Sequence, residues 1–435
     1  MKRISKRFLS FVKATWQILL IGLLVRLLLM PLATHSDLIQ FYWKSHLITF
    51  HNEFAVGFQA LLRLFHAGYL WVLTPVLPPA DSLWIHHAEN LLINPFAVSE
   101  SAATQAWFGF ISHPQIFRSL FLLKLPYLFF DLACAFLLYR LGSGGTKSRR
   151  MFKLWWLNPI LIFAIYVFGR HEVIALFFIV LSIYLVRQGS PKAGLLSLGV
   201  AIAIRYYAVF LLPFYVLSME PGWKKRVQGL FYGLIPLIIL NLATWAFAGS
   251  IETTGLINLP NDDFLLSMKI QVAAWDNLYI FPLLYFLLLL HRLYYREYGL
   301  ETLQRYCLIA SLLLLATAYT GQSPQYWTWF LPFLVIGVAE DNRLLPLHFA
   351  QILLLAVYSF IGARATGGYL FAPISPDFFW ALPSPVELIS KSTSPEIVIS
   401  LARTGFTAVT LWMAWLVARR MSLSRSLPPR QQNGI

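Results

Sequence analysis

Three short polar stretches interrupt a largely apolar chain, and each carries side chains able to do chemistry. His35, Ser36 and Asp37 directly follow the first apolar run, and Phe41, Tyr42 and Trp43 come just after. A carboxylate beside an imidazole at the outer end of a membrane helix would meet the head group of a lipid-linked substrate. Asp37 is the candidate general base toward a hydroxyl acceptor, and His35 a candidate contact to the head group. The competing reading is a helix cap or solvated turn, because Ser and Asp favour such positions. Gly169, Arg170, His171 and Glu172 form a brief turn between two apolar runs. Arg170 and His171 at a helix start suit a phosphate, which would also meet the open backbone N–H groups there. Glu172 belongs to the same candidate site, although any such turn needs polar residues. In GQSPQYWTW at 321–329, Gln325 and Tyr326 offer an amide and a phenol to a sugar hydroxyl or phosphate. Trp327 and Trp329 read as an aromatic belt at the membrane surface.

Four further ionisable residues, Arg26, Lys124, Asp131 and Arg205, sit inside apolar runs. Each is costly against lipid, so each is expected to face the bundle interior or a wet cavity. Arg205 is counted with the substrate-binding candidates. Lys124 and Asp131 share one helix face but lie about two turns apart, so both need partners on other helices. Arg26 is the natural mate for Asp131, and a structural ion pair explains these two at least as well as catalysis does. Other patterns carry less. LGSGGTKS at 141–148 imitates a phosphate loop, but Thr146 stands where the pattern needs Gly and no strand precedes it, so it reads as a flexible cytosolic linker. His86 and His87 lack further ligands at metal-binding spacing, and neither a metal site nor a cofactor is expected. Asp262 and Asp263 read as a solvated turn. Cys134 and Cys307 lie in apolar runs and read as core residues.

The scaffold that carries these residues can be read from composition. The 435 residues are 58% hydrophobic and 12% charged, with mean hydropathy +0.65. Soluble domains carry about 25% charged residues, so the bilayer is the solvent, and the net charge of +15 does not signal nucleic-acid binding. Apolar runs lie near 15–33, 117–139, 154–168, 172–186, 193–217, 228–249, 277–290, 307–320, 326–338, 344–361 and 397–418. The first is too long for a signal peptide, contains Arg26, and reads as a retained helix. If the N-terminus is cytosolic, a simple crossing at 193–217 would put Lys224, Lys225 and Arg226 outside, against the positive-inside rule. A re-entrant pair of half-helices pivoting near Arg205 repairs this and puts 23 of the 34 basic residues on the cytosolic side.

The expected fold is therefore an all-α polytopic membrane protein of about ten crossings plus a re-entrant hairpin, with both termini cytosolic. Residues 1–418 form a single transmembrane domain, and 419–435 a basic, disordered cytosolic tail. Extracytoplasmic segments are expected at 34–116, 250–276 and 362–396. In the first of these, the stretch 54–73, interrupted by Arg63 and His66, is expected to lie in the interface plane.

The order of these features resembles the polytopic GT-C glycosyltransferases, in particular the mannosyltransferase-like branch that includes the GPI first-mannose enzymes and bacterial and archaeal relatives. The likeness rests on RLLLMPLATHSDLIQFYW, KLPYLFFDLACAFLLYRL, LNPILIFAIYVFGRHEVIALFFIVLSIYLV with the following GLLSLGVAIAIRYYAVFLLPFYVL, and SPQYWTWFLPFL. The resemblance implies a GT-C-like bundle that transfers a hexose, mannose foremost, from a polyprenyl-phosphate donor. Transfer would invert the sugar and go to a lipid, glycan or protein acceptor on the extracytoplasmic face. It maps the family's acidic residue in the first loop onto Asp37, donor-phosphate contacts onto Arg170 or His171, and further substrate contacts onto Gln325 and Tyr326. The sequence departs from the family in having a lone acidic residue, Asp37, at the start of that loop where many relatives have two close together, and GRHE where a Gln and an Asp are expected. The rival reading is a transporter or flippase of lipid-linked saccharide, although carriers usually show paired repeats around a midplane site.

Overall fold

The computed structural model describes residues 2–53, 59–78, 80–84, 102–219, 222–248, 265–295, 297–318, 324–362 and 368–426. The chain is mostly helical. Its first helix, α1 (Lys2–Leu32), begins with basic residues and then runs apolar. Among the described residues of the long first loop lie α2 (Ser36–His51), α3 (Ala60–Leu73), α4 (Ala80–Trp84) and α5 (Ala102–Ile111), and α6 (Ile116–Leu141) follows. His86 and His87 lie outside the described residues. Next come α7 (Gly145–Trp156), α8 (Pro159–Ile162), a π-helical turn Phe163–Val167 and α9 (Glu172–Arg187). Asn158 starts α8 by accepting from the N–H of Ile160 at 3.0 Å, with Pro159 in the first turn, where its missing N–H costs nothing.

The expected linker at 141–148 is instead a tight turn. Helix α7 already begins at Gly145, the Ser148 hydroxyl accepts from the N–H of Gly144 at 2.7 Å, and Arg187 donates to the Leu141 carbonyl. These bonds give the glycine-rich segment fixed partners, which composition alone did not reveal.

The run at 193–217 is broken where the sequence suggested. Helix α10 (Pro191–Ile204) stops at Arg205, a 3₁₀ turn covers Tyr206–Leu211, and α11 (Leu212–Met219) follows. Both pack on α12 (Trp223–Ala248), and the glycines fix their directions. Gly229 of α12 faces Leu195 and Val216; one turn on, Gly233 faces Leu212 while its carbonyl meets Gly199. Along α12 the α10 partners ascend in number as the α11 partners descend, so α10 and α11 are antiparallel.

Asp262 and Asp263 fall outside the described residues. From 265 the chain forms a two-stranded hairpin, β1 (Lys269–Ala273) with β2 (Asp276–Tyr279), antiparallel with a bulge at Gln271 to Ala273. This departs from an all-helical expectation, since short alternating strands are overshadowed by the apolar runs around them. Then come α13 (Ile280–Tyr294), α14 (Leu300–Thr317), a 3₁₀ turn Pro324–Thr328, α15 (Leu331–Glu340), α16 (Leu344–Gly362), α17 (Pro376–Ala381), α18 (Pro385–Ile389) and α19 (Pro395–Ser426). Helix α19 continues into the expected tail; 427–435 lie outside the described residues.

Among the described residues six helical stretches are long and apolar enough to cross a membrane: 10–32, 116–141, 145–167, 223–247, 300–317 and 395–420. Polarity is reversed relative to a soluble protein. Leu24, Leu28, Phe231, Ile239, Leu242, Phe286 and Leu353 are exposed, whereas Arg26, Lys124, Asp131 and Glu172 are buried. A solvent that accepts Leu and excludes unpaired charge gives this pattern, and the chain is a polytopic, helical membrane protein. Helix α3 repeats the inversion on a small scale: Arg63 and His66 point in, and Leu64, Phe65, Trp71 and Val72 point out.

Candidate functional site

Asp37 lies in the first turn of α2, where a negative charge is favoured by the helix dipole. The cap itself is His35, in extended backbone, whose Nδ1 accepts from the Asp37 N–H at 3.2 Å. Its ring stacks on Phe168 at 3.9 Å. The cap is thus His35 and neither Ser36 nor Asp37; its Nδ1 also lies 3.4 Å from Asp37 Oδ1, and the rest of the carboxylate is left for other partners. Those partners come from the turn after the π-helix. Gly169 has φ +81°, a left-handed conformation that favours glycine, and a side chain there would come within 3.2 Å of Leu38. The turn thus rests directly on the start of α2. From it Arg170 donates through Nη1 to Asp37 Oδ2 at 2.5 Å.

The charges continue inward as an alternating chain. Arg170 Nε lies 3.6 Å from Glu172 Oε2, and Arg205 donates to Glu172 Oε1. Arg205 reaches Glu172 because α10 ends there: its backbone is extended, with its N–H on the Ala201 carbonyl at 2.7 Å. Two carboxylates thus alternate with two guanidiniums. Exposure differs along the chain: the Asp37 side chain is 30% exposed, that of Glu172 not at all. Glu172 is placed to orient Arg170 and Arg205 rather than to touch a ligand from outside. Arg170 Nε, Glu172 Oε2 and Arg205 Nε make no hydrogen bond, an unusual concentration of unused polar capacity in one place.

The electrostatics follow from this geometry. Burial by itself pushes the Asp37 carboxyl up, but Arg170, then His35, and more distantly Arg205, hold it well below the ordinary carboxylate range. For His171, burial first and then Arg205 and Arg170 push the imidazole well below its ordinary value. His171 is therefore neutral, able to offer a hydrogen bond but not a charge. Its Nε2 donates to Gln59 Oε1 at 3.0 Å, and its ring packs on Phe41 at 4.3 Å. Nearby, the Nδ1–H of His66 donates to the Leu62 carbonyl at 2.7 Å, and its Nε2 accepts from the Tyr127 hydroxyl at 2.8 Å.

Gln325 and Tyr326 sit on the 3₁₀ turn before α15. Gln325 is buried with no hydrogen bond to its side-chain oxygen, and Tyr326 is near enough to Arg170 and Tyr206 to act on their charges. Trp327 and Trp329 are not belt residues, because both are buried. Trp329 stacks on Tyr207 at 3.9 Å, and Trp327 lies between Tyr358 and Phe406. Trp327 also lines an apolar cavity of about 210 Å³ with Phe163, Ile352 and Leu355.

The structure thus brings together His35, Asp37, Arg170, His171, Glu172 and Arg205, with Tyr326 close by. It keeps Arg26, Lys124 and Asp131 apart from that chain. Arg26 and Asp131, expected as mates, pair at 2.8 Å, and Asp131 also accepts from Trp155 at 2.7 Å and Tyr166 at 2.7 Å. Lys124 instead donates to backbone carbonyls of Met30, Ala33 and Tyr166. Among the described residues no group of three or more His, Cys, Asp or Glu side chains is arranged to hold a metal. Cys134 and Cys307 are buried and free.

Three participants were missed by sequence reasoning. Gln59 carries a left-handed backbone before α3, Phe168 stacks on His35, and Tyr207 is buried with its hydroxyl unpartnered. None stands out among so many aromatic and polar residues of the same kinds. No protein-family model, curated protein or solved structure matches this chain.

Proposed function

We propose that this chain is an integral-membrane glycosyltransferase of the GT-C type, carrying a hexose from a polyprenyl-phosphate donor to an acceptor hydroxyl on the extracytoplasmic face. The observation that carries the reading is the alternating chain Asp37, Arg170, Glu172, Arg205, assembled from three separate stretches of sequence and ending on a part-exposed carboxylate. In this reading the chain forms one transmembrane domain over residues 1–418, with about ten crossings and α10–α11 as the re-entrant hairpin. Both termini are cytosolic, and the membrane is the cell membrane if the source is prokaryotic. Mannose is the first sugar to test, and the acceptor is a lipid, glycan or protein.

The chemistry asks for little beyond these residues. A polyprenyl phosphate is already a good leaving group, so the protein must hold the departing phosphate and accept a proton from the acceptor. A carboxylate tied to a guanidinium is a weak base. When the donor phosphate takes Arg170 as its partner, Asp37 loses its counter-charge and gains basicity. It then accepts the acceptor's proton as the acceptor oxygen bonds to the anomeric carbon and the phosphate leaves with the electron pair of the broken bond. A single displacement inverts the sugar. Glu172 and Arg205 keep Arg170 aimed, and His171, Gln325 and Tyr326 offer neutral hydrogen bonds to the donor.

The experiment supplies the purified chain, in vesicles, with a panel of labelled polyprenyl-phosphate hexoses and an extract of lipid acceptors. Transfer of label, mannose first, is the expected result. The interruption at Arg205 would also serve a flippase, so the same vesicles are scored for movement of intact donor between leaflets. Movement without transfer from any donor overturns the enzyme reading in favour of the flippase.

A further inference from the structure

We infer that Lys124 is a positioning residue: its ammonium caps two helix ends at once and so fixes the segment carrying Asp37 against the turn carrying Arg170. This rests on the reading of that pair as the working site. Lys124 is fully buried on α6, and its Nζ donates to the carbonyls of Met30 at 3.0 Å, of Tyr166 at 2.9 Å, and of Ala33. None of these partners is a carboxylate.

The physical reason lies in where the carbonyls sit. Met30 and Ala33 stand at the C-terminal end of α1, and Tyr166 at the end of the π-helical turn. The last carbonyls of a helix have no partner within it and carry the negative end of the helix dipole, so a cation among them is favoured. Met30, Ala33 and Tyr166 are all fully buried, so those carbonyls cannot turn to water. One lysine therefore satisfies two helix ends that would otherwise be costly, and in doing so ties them together.

Both tied ends lead straight into the site. Asp37 comes four residues after Ala33, and Arg170 four residues after Tyr166. Each connecting segment is short and held by its own backbone bonds: the Thr34 N–H donates to the Leu370 carbonyl at 2.8 Å, and the Arg170 N–H to the Ala164 carbonyl at 3.0 Å. Fixing the two carbonyl ends thus fixes the distance between the two charged side chains. Arg26 and Asp131 brace a neighbouring point, since Asp131 holds the Tyr166 hydroxyl while Lys124 holds its carbonyl.

The test measures hydrogen exchange by mass spectrometry on the full-length chain in lipid nanodiscs, for wild type, Lys124→Met and Lys124→Arg. Exchange is expected to rise at least about tenfold in Lys124→Met at Thr34 to Leu38 and Phe168 to Arg170, with the interiors of α9 and α14 unchanged. Lys124→Arg restores part of the protection. In the transfer assay Lys124→Met is expected to lower kcat by about 100-fold, the scale of a small misplacement of reacting groups, with KM for the donor nearly unchanged. Unchanged exchange in both segments overturns the proposal, and so does a rise spread evenly over the chain. Local loosening with an unaltered kcat also overturns it. Where Lys124→Met does not fold, Lys124→Gln takes its place. A wild type that transfers no sugar sinks the glycosyltransferase reading instead, and the exchange comparison still judges the clamp.

Discussion

Two buried ion clusters lie on either side of the π-helical turn, and they are built to opposite designs. In the inner one, Asp131 and Arg26 are wholly buried, and both oxygens of Asp131 are taken, by Arg26, Tyr166 and Trp155. The Arg26 guanidinium lies 3.7 Å over the Trp156 ring. In the outer one, Asp37 reaches toward solvent, has a single guanidinium donor, and begins a chain in which Arg170, Glu172 and Arg205 all keep unused polar atoms. Arg26 Nη2 makes no hydrogen bond, but a wholly buried carboxylate with both oxygens taken has nothing left to offer a ligand, and removing it would only loosen the fold. An unsaturated chain holds its charges ready for another partner. Under the proposed function the contrast separates a structural pair from a working one where residue type alone does not, since both clusters are Arg with Asp or Glu.

The two aspartates put the contrast to its hardest trial. Asp37→Asn is expected to cut transfer by about 10³- to 10⁴-fold, the upper range for losing a general base, while the protein still expresses and folds. Retained activity would remove Asp37 from that role. Asp131→Asn should do the reverse: it leaves Arg26 buried without a counter-charge and costs about 3–5 kcal/mol of stability. Unfolding in detergent measures that cost, and the surviving folded fraction should keep its turnover. Equal loss of turnover per folded molecule in both variants would erase the distinction.

Smaller changes probe the outer cluster in finer detail. Arg170→Lys keeps the charge but loses the guanidinium fork that serves Asp37 and Glu172 together, so a roughly tenfold loss of kcat/KM for the donor is expected. Gly169→Ala forces a side chain into a left-handed backbone against Leu38 and should cost about 1–2 kcal/mol, read as a lower melting temperature. The smallest effect is acid sensitivity. Because the folded protein holds the Asp37 carboxyl below its ordinary value of 3.8, its stabilising charge is fully present above that pH and fades as pH falls further. The melting temperature of wild type should therefore approach that of Asp37→Asn only as pH falls below about 4, and most steeply below about pH 3. A constant gap would mean that Asp37 and Arg170 do not pair in solution.

Much of the fold was legible because a bilayer imposes simple rules on a sequence. The basic run at Lys224 to Arg226 was enough to suggest that the chain turns back near Arg205, and α10 and α11 are antiparallel. The tryptophans of the 321–329 stretch were misread as belt residues because a buried Trp and an interfacial Trp look identical in sequence. The hairpin at 269–279, with Trp275 98% exposed at its turn, gave no signal strong enough to stand out from its apolar neighbours. At the site, the separate polar stretches were visible, but not that Arg170 is shared by Asp37 and Glu172, nor that His171 is neutral.

Hydropathy and desolvation act on residue type and local order. The solvent, the spans and a short roster of charged residues too costly to face lipid are therefore already written along the chain. Which of those charges meet is settled in three dimensions. Arg26 and Arg170 differ little as residues, yet one ends against an indole and a wholly buried, fully bonded carboxylate, the other between two carboxylates of which one is part-exposed. That outcome depends on where a π-turn ends, where a glycine lets the chain bend, and where one lysine gathers the ends of two helices. These are contacts between residues far apart in sequence, and no local pattern encodes them.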